Sequence, residues 1–281
     1  MRIYDRKLQK YIEEKENQEG ILRFLYHTVL GRILLKVLVA RPWLSKAVAI
    51  YYKSRLSKKK IIPFIEKNNI DVSEWVIEDF KTFNDFFIRR KDVSVDSGLI
   101  SIADSKLSVY KIDEGLKLKI KNSIYNLEDI LGSSEMAEKY NNGTCLVFRL
   151  GVNDYHRYIY IDSGKLISQK FINGELHTVR SISEKYNVFS RNCRVVNEFQ
   201  TESLGDVAQV EVGALLVGCV QNYNKSVFIK GEEKGYFEYG GSTVVVLLQE
   251  GVVTIDADII EQSNKDIEVK VSVGEQIGIC N

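Results

Sequence analysis

From residue 92 onward the chain is a succession of short β-branched or alternating apolar runs, cut by Gly, Asn and Asp into pieces that recur roughly every 8–12 residues. Strands at that spacing fold as antiparallel sandwiches or barrels, because a parallel crossover needs the length of a helix between strands. The runs predict strands over 106–112, 116–120, 144–150, 157–161, 165–171, 207–212, 215–221, 226–229, 242–248, 252–256 and 267–271. One helix is expected among them, over 127–140, followed by the turn Asn141-Asn142-Gly143. Ahead of this region the pattern is helical: a polar helix over 3–17, an amphipathic pair over 21–40 and 43–57 separated at Pro42, and short pieces over 61–90. The fold class read from this order is α+β, a helical N-terminal region followed by a mostly antiparallel β core. A G-E-x-x-G turn occurs twice, at Gly231 to Gly235 and at Gly274 to Gly278, and supports a compact β core.

Charge is sorted along the chain. The net charge is only +1, yet residues 1–60 hold 15 Lys and Arg against 5 Asp and Glu, which leaves 24 against 33 for the rest. Between Ile21 and Lys60 there are ten basic side chains and no acidic one, interleaved with Phe24, Leu25, Leu34, Leu35, Val37, Leu38, Trp43, Tyr51 and Tyr52. That composition suits an anionic surface, and the aliphatic content favours a lipid leaflet over nucleic acid. Arg23, Arg32, Lys36, Arg41 and Lys46 interrupt the apolar run too often for a spanning helix, which needs about 20 nearly continuous apolar residues. The reading is an interfacial helix pair; a basic, solvated pair packed on the body of the protein is the plainer alternative. The organisation expected is therefore 1–60 as a basic amphipathic membrane-associating region, 61–95 as a helical connection and 96–281 as the β-rich domain.

The four cysteines show no C-x-x-C spacing and the three histidines are scattered, so no metal site is expected. Glu13, Glu14, Glu16 and Glu19 precede the first apolar stretch and no small-residue cleavage site follows it, which argues against a secretory signal. A reduced, intracellular protein is the expectation.

Chemistry is suggested first by Tyr239-Gly240-Gly241-Ser242-Thr243, which runs into the β-branched segment Val244 to Val246. Two residues without Cβ leave the Gly241 carbonyl open to close approach. Ser242 Oγ can attack it in an N→O acyl shift if a base takes its proton and donors hold the oxyanion. Gly-Gly-Ser-Thr is equally an ordinary turn before a strand. Three further segments stand out: Phe83-Asn84-Asp85-Phe86-Phe87-Ile88-Arg89-Arg90, Ala103-Asp104-Ser105 at the opening of the β region, and Asp154-Tyr155-His156-Arg157 between two expected strands.

In this order, with Val212-Gly213-Ala214, Val217-Gly218 and Lys230 to Phe237, these segments resemble the phosphatidylserine decarboxylase family from about residue 81 to the end. The resemblance implies a proenzyme that cuts itself between Gly241 and Ser242 into chains 1–241 and 242–281. The ester from the acyl shift loses its carboxylate by β-elimination, and the dehydroalanine left at 242 hydrolyses to a pyruvoyl group and ammonia. That covalent cofactor, made from Ser242, forms a Schiff base with the amine of phosphatidylserine and acts as the electron sink while CO2 leaves, giving phosphatidylethanolamine. The resemblance also implies associated chains, a homodimer of processed units, phosphatidylserine in an anionic membrane as the partner with no nucleic acid, and a peripheral place on the cytoplasmic side of the cell membrane.

Self-cleavage in the family uses an Asp-His-Ser arrangement, which carries over to Asp104 and Ser242. The base is less simple, because many members have a second histidine three residues after His156, where this chain has Ile159. Either His156 covers both roles or His177, in Gly174 to Val179, supplies the base from within reach of Ser242 or Asp104. Gly240 replaces the commoner Leu, and Gly151-Val152-Asn153 precedes Asp154 where many members carry a proline. The rivals are a serine hydrolase acting on lipid through Ser242, His156 and Asp104, which lacks the G-x-S-x-G elbow, and a non-processing membrane-bound paralogue. A pyruvoyl decarboxylase of soluble amino acids fits the basic arm poorly.

Overall fold

The computed structural model describes residues 2–14, 19–35, 37, 42–120, 123–178, 186–214, 220–223, 225–239 and 242–281. Its centre is the strand Ser242–Leu248, whose seven residues are all buried. A strand packed on both faces carries a continuous apolar run instead of an alternating one, which is what Val244 to Leu248 supply. It pairs antiparallel with Thr144–Leu150 on one edge and Asp206–Val212 on the other. From these a twelve-stranded sheet spreads in the order Val227–Phe228, Gly164–Ile172, Arg194–Thr201, Asp206–Val212, Ser242–Leu248, Thr144–Leu150, Ser105–Asp113, Glu268–Val271, Arg2–Asp5, Lys10–Glu13. The ribbon Lys117–Ile120 and Ser123–Asn126 completes it beside Ser105–Asp113.

One face of this sheet, with Leu107, Phe148, Val244 and Val246, packs on two three-stranded sheets through Tyr158, Ile159, Phe237, Leu99, Ile100 and Ile277, and on the helix Ala257–Ser263 through Ile259. The other face, with Cys145, Val147, Val245 and Leu247, packs on the ribbon and on the helices Leu127–Leu131, Ser134–Glu138 and Val188–Arg191. The molecule is thus mixed α and β, with a large and mostly antiparallel sheet.

Several expectations need correction. Residues 3–13 are not helical: Arg2–Asp5 and Lys10–Glu13 form a hairpin, and the first joins Glu268–Val271 in parallel at the sheet edge. The alternation that buries Ile3 and Asp5 decides this, with the Asp5 carboxylate accepting from Leu8 N at 3.1 Å and Gln9 in the left-handed region to close the turn. The charge-rich residues after Asp5 masked that short alternation. The helix expected over 127–140 is two helices, broken where Gly132 adopts φ +67 and restarted by Ser133, whose Oγ accepts from Met136 N. The helix Ala257–Ser263 and the strands Arg194–Thr201, Glu233–Phe237 and Gln276–Cys280 were not anticipated. Gly240, Gly241 and most of the strand expected over 215–221 lie outside the described residues.

In the N-terminal third the described helices include Glu19–His27, Val29–Leu34, Pro42–Tyr52 and Ile61–Asn68. Thr28 separates the first two by capping the second, its Oγ1 accepting from Gly31 N. Phe83–Phe87 is a short helix with a capping box between Thr82 and Asp85.

The two G-E-x-x-G turns are the same structural device. Gly231 N donates to Tyr160 O while Tyr160 N donates to Glu232 O; Gly274 N donates to Ser101 O while Ser101 N donates to Glu275 O. Each Glu carboxylate accepts from the backbone N–H three residues earlier, at Ile229 and Ser272. Both glycines have φ near +80 and both face residues 93–95: a Cβ at Gly274 would stand 2.0 Å from Ser94 O, and one at Gly231 2.5 Å from Val95 Cγ2. A carbonyl cannot move aside as a side-chain methyl can. Gly274→Ala is therefore expected to cost about 2–3 kcal/mol and Gly231→Ala roughly half as much. Urea midpoints of the two variants check this, and an equal or reversed order would refute it.

Candidate active site

Ser242 opens the central strand with its side chain on the same face as Val244 and Val246. It is fully buried, and its Oγ has no hydrogen-bond partner among the described residues. A buried hydroxyl left so forfeits about 1–3 kcal/mol, a cost shared by the Oγ1 of the next residue, Thr243, and by Tyr140 OH. Its neighbour across the ladder is Leu150. The chain then turns through Gly151 to Asp154, closed by Gly151 N donating to Asp154 Oδ2 at 2.6 Å.

Lys106 locks that turn, its Nζ reaching both Asp154 oxygens at 2.8 and 2.7 Å and Glu14 at 3.2 Å. Arg149 binds the same Glu14 at 3.0 Å and Glu268 at 2.5 Å. Burial alone would raise the Glu14 carboxyl, but Lys106 and Arg149 outweigh it and hold it down at about 2. Burial likewise works against the Lys106 ammonium, and Asp154 with Glu14 reverses the effect so that it is more basic than an ordinary lysine.

The turn delivers His156, which is fully buried. Its Nδ1 lies 2.8 Å from Asp154 O, and since a carbonyl only accepts, Nδ1 donates there and Nε2 is the ring's other nitrogen, turned away from that bond. The ring packs against Phe87 with centroids 4.0 Å apart, and Phe87 meets Tyr239 at 5.2 Å. Phe237 N donates to His156 O at 2.9 Å. Tyr239 itself sits in an aromatic box, 4.3 Å from Tyr52 and 5.2 Å from Phe83. The Phe-rich helix thus fixes His156 and the segment that leads into Ser242 at the same time.

Asp104 precedes the strand Ser105–Asp113, two strands across from Ser242. Its carboxylate accepts from Lys91 Nζ at 2.6 Å and from Val273 N at 2.7 Å. Among the described residues the hydrogen-bond partners of the His177 ring are neither Ser242 nor Asp104. His177 Nε2 lies 2.9 Å from Glu175 Oε2 and its Nδ1 3.3 Å from Tyr26 OH, while its ring stacks on Tyr186 at 4.6 Å. Burial makes this ring less basic than an ordinary histidine, with Glu175 opposing in part. Ile159, in the place of the second histidine, is a core side chain whose N–H donates to Ile102 O. Sequence reasoning missed Lys91, Lys106, Glu14 and Tyr239. Of these only Tyr239 carried a signal, an aromatic three residues before the hydroxyl.

Glu14 sets an acid dependence. Its folded value is depressed below the unfolded one, so its stabilising contribution is complete above about pH 4.5 and is lost as pH falls toward 2. Glu14→Gln is expected to flatten the fall in stability across that window, since Lys106 keeps Asp154 and Arg149 keeps Glu268. Urea unfolding from pH 7 to pH 3 tests this, and superimposable slopes in the two proteins would contradict it.

A family model described as Phosphatidylserine decarboxylase matches residues 83–279. The phosphatidylserine decarboxylase proenzyme 2 of Clostridium acetobutylicum is 48% identical over 286 residues, covering 99% of this chain and 98% of its own length. The phosphatidylserine decarboxylase proenzymes of Clostridium novyi and Ruminiclostridium cellulolyticum are 37% and 38% identical, each over at least 98% of both chains. With one family model spanning most of the chain and relatives aligned end to end, the chain belongs to the phosphatidylserine decarboxylase family.

Proposed function

We propose that this chain is a self-processing phosphatidylserine decarboxylase whose cofactor is made from Ser242. The observation that carries the reading is the buried, unpartnered Oγ at the mouth of the central strand, with His156 brought to the same end of the sheet. Tyr239 is gripped by the aromatic box on one side, and the strand that Ser242 opens is held by two strands on the other. Ser242 Oγ attacks the Gly241 carbonyl carbon and gives its proton to His156 Nε2. The C–N bond breaks as the ester forms, and His156 returns the proton to the freed amine. Elimination then takes the Cα proton of residue 242 and releases the Gly241 carboxylate from its Cβ, the Cα–H electrons forming the double bond, and water hydrolyses the resulting enamine through its imine tautomer to a pyruvoyl group and ammonia. A keto carbonyl at that position supplies the electron sink for losing CO2 from phosphatidylserine, giving phosphatidylethanolamine. His156 holds and returns protons at the reacting carbon, while Phe87, Phe237 and Tyr239 exclude water. Asp104, held by Lys91, is assigned as the carboxylate member of the processing group. The base is assigned to His156 because both ring nitrogens of His177 are already engaged.

The domain roles follow the charge. Residues 1–60 serve as the membrane-associating region, apart from the hairpin given to the sheet, 61–95 connect, and 96–281 carry the catalysis. On the N-terminal helices Phe24, Val29, Leu30, Ile33 and Val37 are exposed, with Arg23 and Arg32 beside them. Apolar side chains in a basic setting fit an anionic leaflet at headgroup depth. No helix among the described residues is long and apolar enough to cross a membrane; the association proposed is peripheral, on the cytoplasmic side. The working form is a homodimer of processed units.

Purified protein is expected to run as two chains, the smaller of 40 residues and blocked to Edman degradation. Ser242→Ala and His156→Ala should stay intact while His177→Ala cuts; an uncut wild type that still consumes phosphatidylserine would sink the mechanism. In flotation with vesicles containing phosphatidylserine, the pair Leu30→Asp with Ile33→Asp is expected to reduce the bound fraction at least about tenfold. Flotation equal to wild type would remove the membrane role from this face.

A further inference from the structure

Most buried cations described in this molecule have a carboxylate. Lys106 has Asp154 and Glu14, Arg149 has Glu14 and Glu268, Arg157 has Glu233, and Lys234 has Glu211. Arg194 has none within reach but donates to four backbone carbonyls, of Asp129, Ile130, Ser190 and Asn192. Arg89 differs. It is 6% exposed, yet it has no ion pair among the described residues, its Nε is buried without a hydrogen-bond partner, and its one bond, from Nη1 to Phe86 O, is long at 3.4 Å. A guanidinium presents five donors in a fixed fork and cannot shed its proton. Leaving most of them unused in a buried place is costly unless something else occupies them.

The side chain is nonetheless held firmly. The guanidinium lies over Trp75 at 5.0 Å and over Phe86 at 4.9 Å, and the indole is pinned by Nε1 donating to Arg90 O at 2.5 Å. The backbone is tied to the active-site segment, because Arg157, next to His156, donates Nε to Ile88 O at 2.7 Å and to Arg89 O at 3.2 Å. Trp75 also walls a groove of about 830 Å³, with Arg90, Lys91 and Tyr223, that opens to solvent. Its lining also holds the carboxylates of Glu74, Asp92, Glu232 and Glu233, of which the last two are paired with Lys225 and Arg157. Asp104, Tyr155, Asp154 and Glu74 act on Arg89 from a distance without repaying its desolvation.

We infer that Arg89 anchors a phosphodiester site, which holds the headgroup phosphate of the phospholipid substrate beside His156. The inference rests on the decarboxylase reading above. The substrate offers two anions, and chemistry separates them. A carboxylate about to leave as CO2 is stabilised in its ground state by a guanidinium, which slows its loss. The phosphate keeps its charge throughout, so a cation there binds and orients without opposing the reaction. A planar fork matches two phosphate oxygens, and phosphate and amine are joined by only a few bonds, so fixing one places the other.

The test uses Trp75 as reporter in full-length Trp43→Phe protein, which removes the other tryptophan. Glycerophosphoserine should change Trp75 emission saturably, inorganic phosphate should compete, and serine should have no effect. Arg89→Lys, which keeps the charge and loses the fork, should bind at least about tenfold more weakly and raise KM for phosphatidylserine by a similar factor, with kcat within about threefold. Retained self-cleavage shows that this variant is folded. Equal affinity in the two proteins, or an equal response to serine, overturns the site. A response to inorganic phosphate without one to glycerophosphoserine overturns the headgroup assignment. The titration is repeated on Ser242→Ala protein, which has no cofactor. Binding through Arg89 there, in a chain whose parent never cuts itself, keeps the site and refutes the decarboxylase reading. A parent that cuts and turns over lipid with Arg89→Lys unaffected refutes the site alone.

Discussion

The structure depends on one strand being held along both edges. Ser242–Leu248 is bonded to Thr144–Leu150 and Asp206–Val212 from its first residues to its last, so the residue at its entrance cannot drift when the peptide before it is broken. The rest of the C-terminal segment is woven in as tightly. Glu268–Val271 lies between Ser105–Asp113 and Arg2–Asp5, and Gln276–Cys280 pairs with Leu99–Ile100. Arg6, from the hairpin, reaches Asp256, Asp258 and Glu275 at 2.8, 2.7 and 3.1 Å. A cut ahead of Ser242 severs one covalent bond and none of these ladders. The self-cleavage proposed above would need that redundancy, since each half must outlast the loss of its connection.

Buried charge then sets where the site's parts lie. Glu211 accepts from Lys234, Gln209, Asn197 and Asn222, which pins Glu233–Phe237 on the face of the main sheet. The same strand runs on to Tyr239 and the cleavage segment. At the other side of Ser242, Lys106 and Arg149 fix the Asp154 turn that carries His156. Such pairs add little net stability, because desolvation consumes most of their attraction, but breaking one leaves an uncompensated charge. They therefore exclude alternative arrangements around a hydroxyl that has no hydrogen-bond partner among the described residues.

How much of this was legible follows from the range of the forces involved. The central strand and the strands beside it were readable because burial on both faces writes a continuous apolar run into the sequence. Arg194–Thr201 was not, since Asn197, Glu198 and Gln200 interrupt its pattern and only a network across strands, such as Asn197 with Glu211, makes them acceptable there. The hairpin over 2–13 failed for a related reason: its partner strand lies more than 250 residues away. At the site, Ser242, His156 and Asp104 were legible as residue types in order, and what joins them was not. Lys91 and Lys106 read as surface lysines until the fold buries their carboxylate partners beside them. His177 drew a catalytic reading because its residue type is scarce; in the fold its ring meets Glu175 close by and Tyr26 on a helix 151 positions earlier, and the second contact could not be read from the sequence.

That last contact joins the two halves of the functional reading. Tyr26 is fully buried, accepts from Thr178 N at 3.0 Å and meets both His177 and Tyr186. Asn192 takes up His177 from behind, accepting from its N–H at 3.0 Å while its own amide donates to His177 O and to Gly213 O at 2.8 and 2.7 Å. Gly213 follows Val212, whose register partner is Thr243. The helix that exposes Phe24 is thus clasped to the end of the strand lying beside the cleavage position. A peripheral enzyme must present its reacting atom at a fixed height above the lipid, and a flexible tether could not do that. Here the helix proposed to face lipid and Ser242 are referred to the same end of the same sheet, with the His177 ring meeting Tyr26 on that helix.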